Sequence, residues 1–316
     1  LLTVQVAGTW AVLVLASDRD DLAAFLGRAA VVAVAVHALA NVAELGALLG
    51  RVPATVHVGP AAVTLEVFVY GAIPRLTGFV ADPTRAGWTF LVLGWLVAAG
   101  EHRPALRRST LAIVGVLIAA TLSRSAMLGA ATTIGMVALT RRRLRLRAGW
   151  LVAASACAAA LAVALYWVPS GSERYLDTLE PLAGRFSASE ASASEHVTLI
   201  ARGLEEATSS PGRFALGVGY GNSYLVLQDV FPGNAYGNFH SLYVTMLAEC
   251  GIVALLAVVV LLGWPLVEGG ALRPLVAGAA VLNVFYQVNA DPTFWLVLAL
   301  AWMASENPAS RTPPRG

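Results

Sequence analysis

No lysine occurs anywhere in the 316 residues, and charge of either sign is scarce, at 13% of positions with a formal net charge of +2. All 21 basic residues are therefore arginine, and so small an excess gives no footing to a nucleic-acid partner. Cysteine is nearly missing as well. The two present, Cys157 and Cys250, both fall inside apolar runs, which argues against a disulfide framework and leaves them as small packing residues. There is no His-Glu-x-x-His, so a membrane metalloprotease is disfavoured, and neither a metal nor a cofactor is expected. What fills the chain instead is apolar: 58% of residues are hydrophobic and the mean hydropathy is +0.71. That composition predicts an all-α, polytopic membrane protein, with no soluble domain and no clear internal repeat.

The chain opens at Leu1, without methionine or a charged leader, and runs apolar at once; it is read as N-terminally incomplete, with helices missing at its front. Residues 1–16 form a short span before the polar Ser17–Asp21. A second span runs from about Ala29 to Leu49, with His37 and Glu44 on one helical face, expected to meet neighbouring helices. From Gly50 to Arg85 the sequence is mixed, with Pro53, Pro60 and Pro74, and Val63–Ile73 is expected to dip into the membrane without crossing. Arg75–Phe90 then feeds a third span ending near Ala99. Between the clusters Arg103–Arg108 and Arg141–Arg147, the apolar stretch Leu111–Leu139 is interrupted once, at Ser123-Arg124-Ser125. The positive-inside rule puts both clusters in the cytoplasm and so requires two crossings here. Each is shorter than the usual twenty residues, which recesses the turn at Arg124 below the outer surface. A span at Trp150–Val168 leads to a long external loop, residues 169–238, whose length marks it as functional.

His240 opens the next span, Asn238–Leu262, which carries Glu249 about 13 Å deeper at the helical rise. A short inner turn holds Glu268 and Arg273. A last pair of spans, Leu275–Val288 and Phe294–Ala304, brackets Asn289–Pro292 outside. Residues 1–305 thus read as one transmembrane domain, and 306–316 as a disordered cytoplasmic tail. With this parity Arg75, Arg124, the long loop, His240 and Asp291 all face outward.

Each of these residues has a functional and a bland reading. A recessed Arg124 supplies a forked, always charged donor for an anion, or snorkels to headgroups. His240 can act as general base near neutral pH, or cap its helix. Glu249, nine positions on, falls on the opposite helical face and is expected to bond another helix. Asp291, before a proline, serves an acceptor site or terminates a helix. Arg75 is a second anion ligand or a solvated charge. Gly217 and Gly219 let backbone amides approach phosphate, or act as a hinge. Tyr220, Tyr224, Phe231, Tyr236 and Phe239 line a sugar groove or anchor the interface.

Four stretches, in order, carry a resemblance: RLTGFVADPT, ATLSRSAML, EHVTLIARGLEEATSSPGRFALGVGYGN and FHSLYVTMLAECGIVALL. Together they resemble the O-antigen ligase and Wzy-type polysaccharide polymerase superfamily. The resemblance implies a GT-C-like, inverting, metal-independent glycosyltransferase of the plasma membrane, with its active site on the extracytoplasmic side. Its partners would be an undecaprenyl-diphosphate-linked glycan donor and a glycan, lipid or protein acceptor. His240 would work at the acceptor hydroxyl, and Arg124 with one of His196 or Arg202 would meet the diphosphate. By position rather than by the resemblance, Asp291 is expected at the acceptor site and Arg75 as a second anion ligand. The chain departs from the pattern at Ser241 and Thr84, where the family carries asparagine, and at His196, where it often carries arginine. The competing class is a non-enzymatic transporter or flippase, with Arg124, Glu249 and Asp291 along a pathway.

Overall fold

The computed structural model describes residues 22–53, 55–58, 61–64, 68–70, 73–80, 82–140, 191–230, 237–268 and 270–306. The expected spans 1–16 and 150–168, Ser17–Asp21, Arg141–Arg147, Cys157, loop residues 169–190, Phe231, Tyr236 and the tail beyond Glu306 lie outside them. The protein is mostly helical, and the chain divides into two compact units. One comprises residues 14–130 and 138–182; the other comprises residues 1–13, 131–137 and 183–316.

The first unit begins with α1, Leu22–Leu48, 27 residues whose best window has a mean hydropathy of 2.0. Its outer face leaves Val32, Leu39 and Val42 between 63 and 70% exposed, a continuous apolar surface suited to lipid rather than water. Two short antiparallel hairpins follow, β1 (Thr55–Val58) with β2 (Ala61–Thr64), and β3 (Phe68–Tyr70) with β4 (Ile73–Arg75). They correct the expectation of pure helix: the described residues of Val63–Ile73 belong to two hairpins. The physical reason is local, since β-branched and aromatic runs flank Gly59–Pro60 and Gly71–Ala72, the punctuation of hairpins.

Next come α2 (Pro83–Gly100), α3 (Pro104–Ala120) and α4 (Arg124–Thr140), the last two 17 residues each and separated by the turn at Thr121–Ser123. Where α1 and α2 cross, glycines face each other. A Cβ on Gly100 would lie 1.8 Å from the Ala23 carbonyl oxygen, and one on Gly27 would lie 2.5 Å from Gly100. Small residues let backbones approach where lipid offers no hydrophobic drive. Val34, Ala86, Phe90, Val114 and Leu117 fill the space among α1, α2 and α3.

The second unit holds α5 (Ala191–Thr208), α6 (Pro211–Leu216), α7 (Ser223–Leu227) and α8 (Leu242–Glu268). After a 3-10 turn (Gly270–Leu272) come α9 (Arg273–Phe285) and α10 (Pro292–Glu306). α8 is the second helix long and apolar enough to cross a membrane, with a window of mean hydropathy 2.6. It is not continuous, because Gly251 inside it has φ 79° and ψ −175°. Toward its far end Trp264 stacks on Trp302 of α10, ring centroids 5.9 Å apart, and the Trp302 indole N–H donates to the Leu261 carbonyl at 3.3 Å. Asp82-Pro83-Thr84 and Asp291-Pro292-Thr293 open α2 and α10 in the same way, each aspartate accepting from the N–H of the threonine two residues on.

Candidate functional site

In the first unit the corner between α3 and α4 gathers two of the four motifs. α3 ends at Thr121, Leu122 turns the chain with φ 49°, and Ser123 begins α4 by accepting from the Ala126 N–H at 3.3 Å. Arg124 is therefore the first residue of α4, half-buried, where the helix dipole also favours an anion. The Ser123 hydroxyl donates to the Thr84 hydroxyl at 2.9 Å, tying the corner to the start of α2. Arg75 is not a solvated loop charge. It is 9% exposed, and its Nε–H donates to the Thr121 carbonyl at 2.8 Å while the Leu76 N–H takes the Ala120 carbonyl at 3.1 Å. A cation thus sits on the carbonyl end of α3, where the dipole favours it. From α1, the buried Glu44 carboxylate accepts from the N–H groups of Thr77 and Gly78, both at 3.0 Å, and from the Thr77 hydroxyl at 3.1 Å. Glu44 is thus committed to holding this loop. His37 packs edge-on to Phe90 at 5.2 Å.

In the second unit His240 stands at the entrance to α8 with φ 51°, a left-handed backbone that a non-glycine residue rarely adopts. Its N–H donates to the Asn238 side-chain oxygen at 2.9 Å. Its ring meets that of His196 with centroids 4.3 Å apart at 67°, and that of Tyr286 at 5.6 Å and 90°. His196 comes from α5, while Tyr286 follows the last residue of α9. Two bonds hold the end of α9 beside the start of α8: the Ser241 hydroxyl donates to the Asn283 carbonyl at 3.5 Å, and Tyr243 Oη–H donates to the Ala280 carbonyl at 2.9 Å. Ser241 and Thr84, the two departures that stand where asparagine was expected, each carry a hydroxyl that joins one helix end to another element.

Glu249 lies where α8 breaks, and its place explains the glycine-rich loop. Because Gly251 leaves helical geometry, the carbonyls of Ala248 and Glu249 turn aside and accept from the N–H groups of Val218 and Gly219, both at 2.8 Å. The Glu249 carboxylate accepts from the Gly221 N–H at 3.0 Å, from the Ser223 N–H at 3.1 Å and from the Ser223 hydroxyl. Four amides of this loop are thus committed to α8 rather than aimed at phosphate, and Gly217, whose added Cβ would lie 2.3 Å from the Glu249 carbonyl, packs against the break. Sequence spacing places Glu249 on a face away from His240, and its carboxylate bonds the Gly221 amide and Ser223, the first residue of the short helix α7.

The remaining candidates separate. Arg202 is bound to Glu205 at 3.4 Å and Asp229 at 3.1 Å. Asp291, 6% exposed, accepts at one oxygen from the N–H and hydroxyl of Thr293. Tyr220 is 65% and Tyr224 39% exposed, but Phe239 is fully buried among Leu199, Leu227 and Val244, so it lines no open groove; a ring flanked by apolar helix faces packs inward. Among the described residues no three His, Cys, Asp or Glu side chains are grouped to hold a metal ion. Tyr286 and Asn238 are the site residues that sequence reasoning missed; only Asn238, two before His240, lay within reach of a local signal.

Mostly helical among its described residues and with two helices apolar enough to cross a membrane, the chain pairs its motifs at two helix entrances, one in each unit. The O-antigen ligase family model matches residues 109–259, placing this stretch, with Arg124, His196, Arg202, His240 and Glu249, in the O-antigen ligase and Wzy-type superfamily. That family indicates an enzyme of the glycosyl-transfer type acting with lipid-linked glycan and an acceptor. A search of curated proteins finds no match.

Proposed function

We propose that the protein is a polytopic, GT-C-like glycosyltransferase of the plasma membrane, working on its extracytoplasmic side as one domain that includes residues 1–305. It transfers a glycan from undecaprenyl diphosphate to an acceptor hydroxyl, without metal and with inversion. The observation that carries this reading is His240, held in a left-handed backbone at the mouth of the apolar α8, inside the matched stretch. Strain at a titratable residue marks a position where orientation matters.

In the reaction the acceptor oxygen attacks the anomeric carbon while the imidazole of His240 takes the hydroxyl proton. The bond between that carbon and the diphosphate oxygen breaks, and undecaprenyl diphosphate departs with the electron pair. Attack opposite the leaving group inverts the centre. Arg124, at the start of α4, and Arg75 hold the diphosphate, because stabilising the departing charge lowers the barrier more than anything else open to such a site. Asp291 sits on the acceptor side. Arg202, already tied to two carboxylates, has no part in the step.

The test uses undecaprenyl-diphosphate-linked glycan with purified protein and chelator present. His240→Ala and Arg124→Ala are each expected to lower transfer by about a hundredfold or more while the protein stays folded. Transfer untouched by both changes would sink the assignment, and polymeric versus single-unit product separates polymerase from ligase.

A further inference from the structure

His196 and Arg202 both lie on α5, but on different faces. His196, Leu199, Gly203 and Ala207 repeat at helical spacing and form the inner stripe, with Leu199 and Ala207 buried in the core shared with α8. Gly203 is open for a reason: a Cβ there would lie 2.5 Å from Val244 and 2.8 Å from the Phe239 ring. Phe239 therefore seats against the same stripe whose next turns bring His196 to His240. One helix grips the anchor residue and the ring that follows it. Tyr286 also meets His240, at a right angle with ring centroids 5.6 Å apart.

We propose that His196 is a positioning residue: its ring, together with that of Tyr286, sets the orientation in which the His240 imidazole takes the acceptor proton. This rests on the transfer reading above. The two ring contacts come from separate elements, α5 and the end of α9, and both restrain the imidazole. The backbone alone does not, since the left-handed conformation at His240 persists only where surroundings impose it. A base must be held within about 0.5 Å of its working geometry, and loosening it by about 1 Å is enough for losses near a hundredfold.

The experiment compares His196→Ala, His196→Phe and His196→Arg in the full protein, with undecaprenyl-diphosphate-linked glycan as donor. His196→Ala is expected to lower kcat by about tenfold to a hundredfold with the donor KM changed less than about threefold. His196→Phe, which restores a ring edge without charge, recovers most of that loss; His196→Arg, which restores charge without the ring, does not. The ring-proton resonances of His240 shift in the alanine variant and return toward the parent values in the phenylalanine variant. Rescue by arginine with failure of phenylalanine, and a rise in donor KM rather than a fall in kcat, overturns the proposal and makes His196 a phosphate ligand. If His240→Ala transfers as fast as the parent, the transfer reading itself fails, whatever the His196 variants do.

Discussion

At the scale of single residues, two carboxylates make opposite demands. Glu249 satisfies two loop amides and a hydroxyl inside an apolar helix, so its loss strands several donors. Glu249→Gln, which turns an amide group toward a donor, is expected to cost about 1–3 kcal/mol in thermal or denaturant unfolding in detergent, and to raise proteolysis in the 217–223 loop. Glu101, at the end of α2, is held by the side chain and N–H of Arg103, which lower its carboxyl to about 2. Its folded value lies below the ordinary glutamate value of about 4.3, so its stabilising contribution is complete above that pH and is lost on acidification toward 2. Melting temperature measured from pH 6 to 2.5 should show this acid limb in the parent and a smaller one in Glu101→Gln. The sequence made Arg124, His240 and Glu249 visible because polar groups stand out in apolar runs. Tyr286 was hidden, since no local pattern announces a ring brought to His240 by the docking of α9 on α8. That His196 shares a stripe with the apolar Leu199 and Ala207 was open to periodicity.

At the scale of elements, backbone proximity decides. Gly100→Ala must separate α1 from α2 at a carbonyl contact of 1.8 Å, and a loss of about 1–3 kcal/mol is expected, read as a lower melting temperature. Gly251→Ala combines a positive φ with a Cβ 2.1 Å from the Ala215 carbonyl and is expected to lose about 2 kcal/mol or more, together with protection of loop amides in hydrogen exchange. The long helices α1 and α8 were legible from apolar length, as were the two 17-residue helices on either side of Arg124. The hairpins at 55–75 were not, because a short apolar run suits strand and buried segment alike. The break in α8 was also missed, since a single glycine in a helical pattern is usually tolerated.

For the whole molecule, orientation is the measurable quantity. In a background without Cys157 and Cys250, Ser209→Cys, exposed at the end of α5, is expected to react in intact cells with a membrane-impermeant maleimide. Ala271→Cys, exposed between α8 and α9, is expected to react only after permeabilisation. The opposite pattern would reverse the proposed topology. The proposed parity rests on the arginine clusters, whereas the division into two units has no counterpart in the sequence, because it arises from which helices pack.

Glu249 and Glu44 differ in one respect that concerns biogenesis. The partners of Glu249, Gly221 and Ser223, precede it in the chain by 28 and 26 residues and are already synthesised when it is added. The partners of Glu44 follow it by 33 and 34 residues, so at about 5–20 residues per second α1 waits some two to seven seconds with its carboxylate unmatched. An isolated α1 is therefore expected to insert poorly through the translocon, and to be rescued when synthesis continues through Gly78.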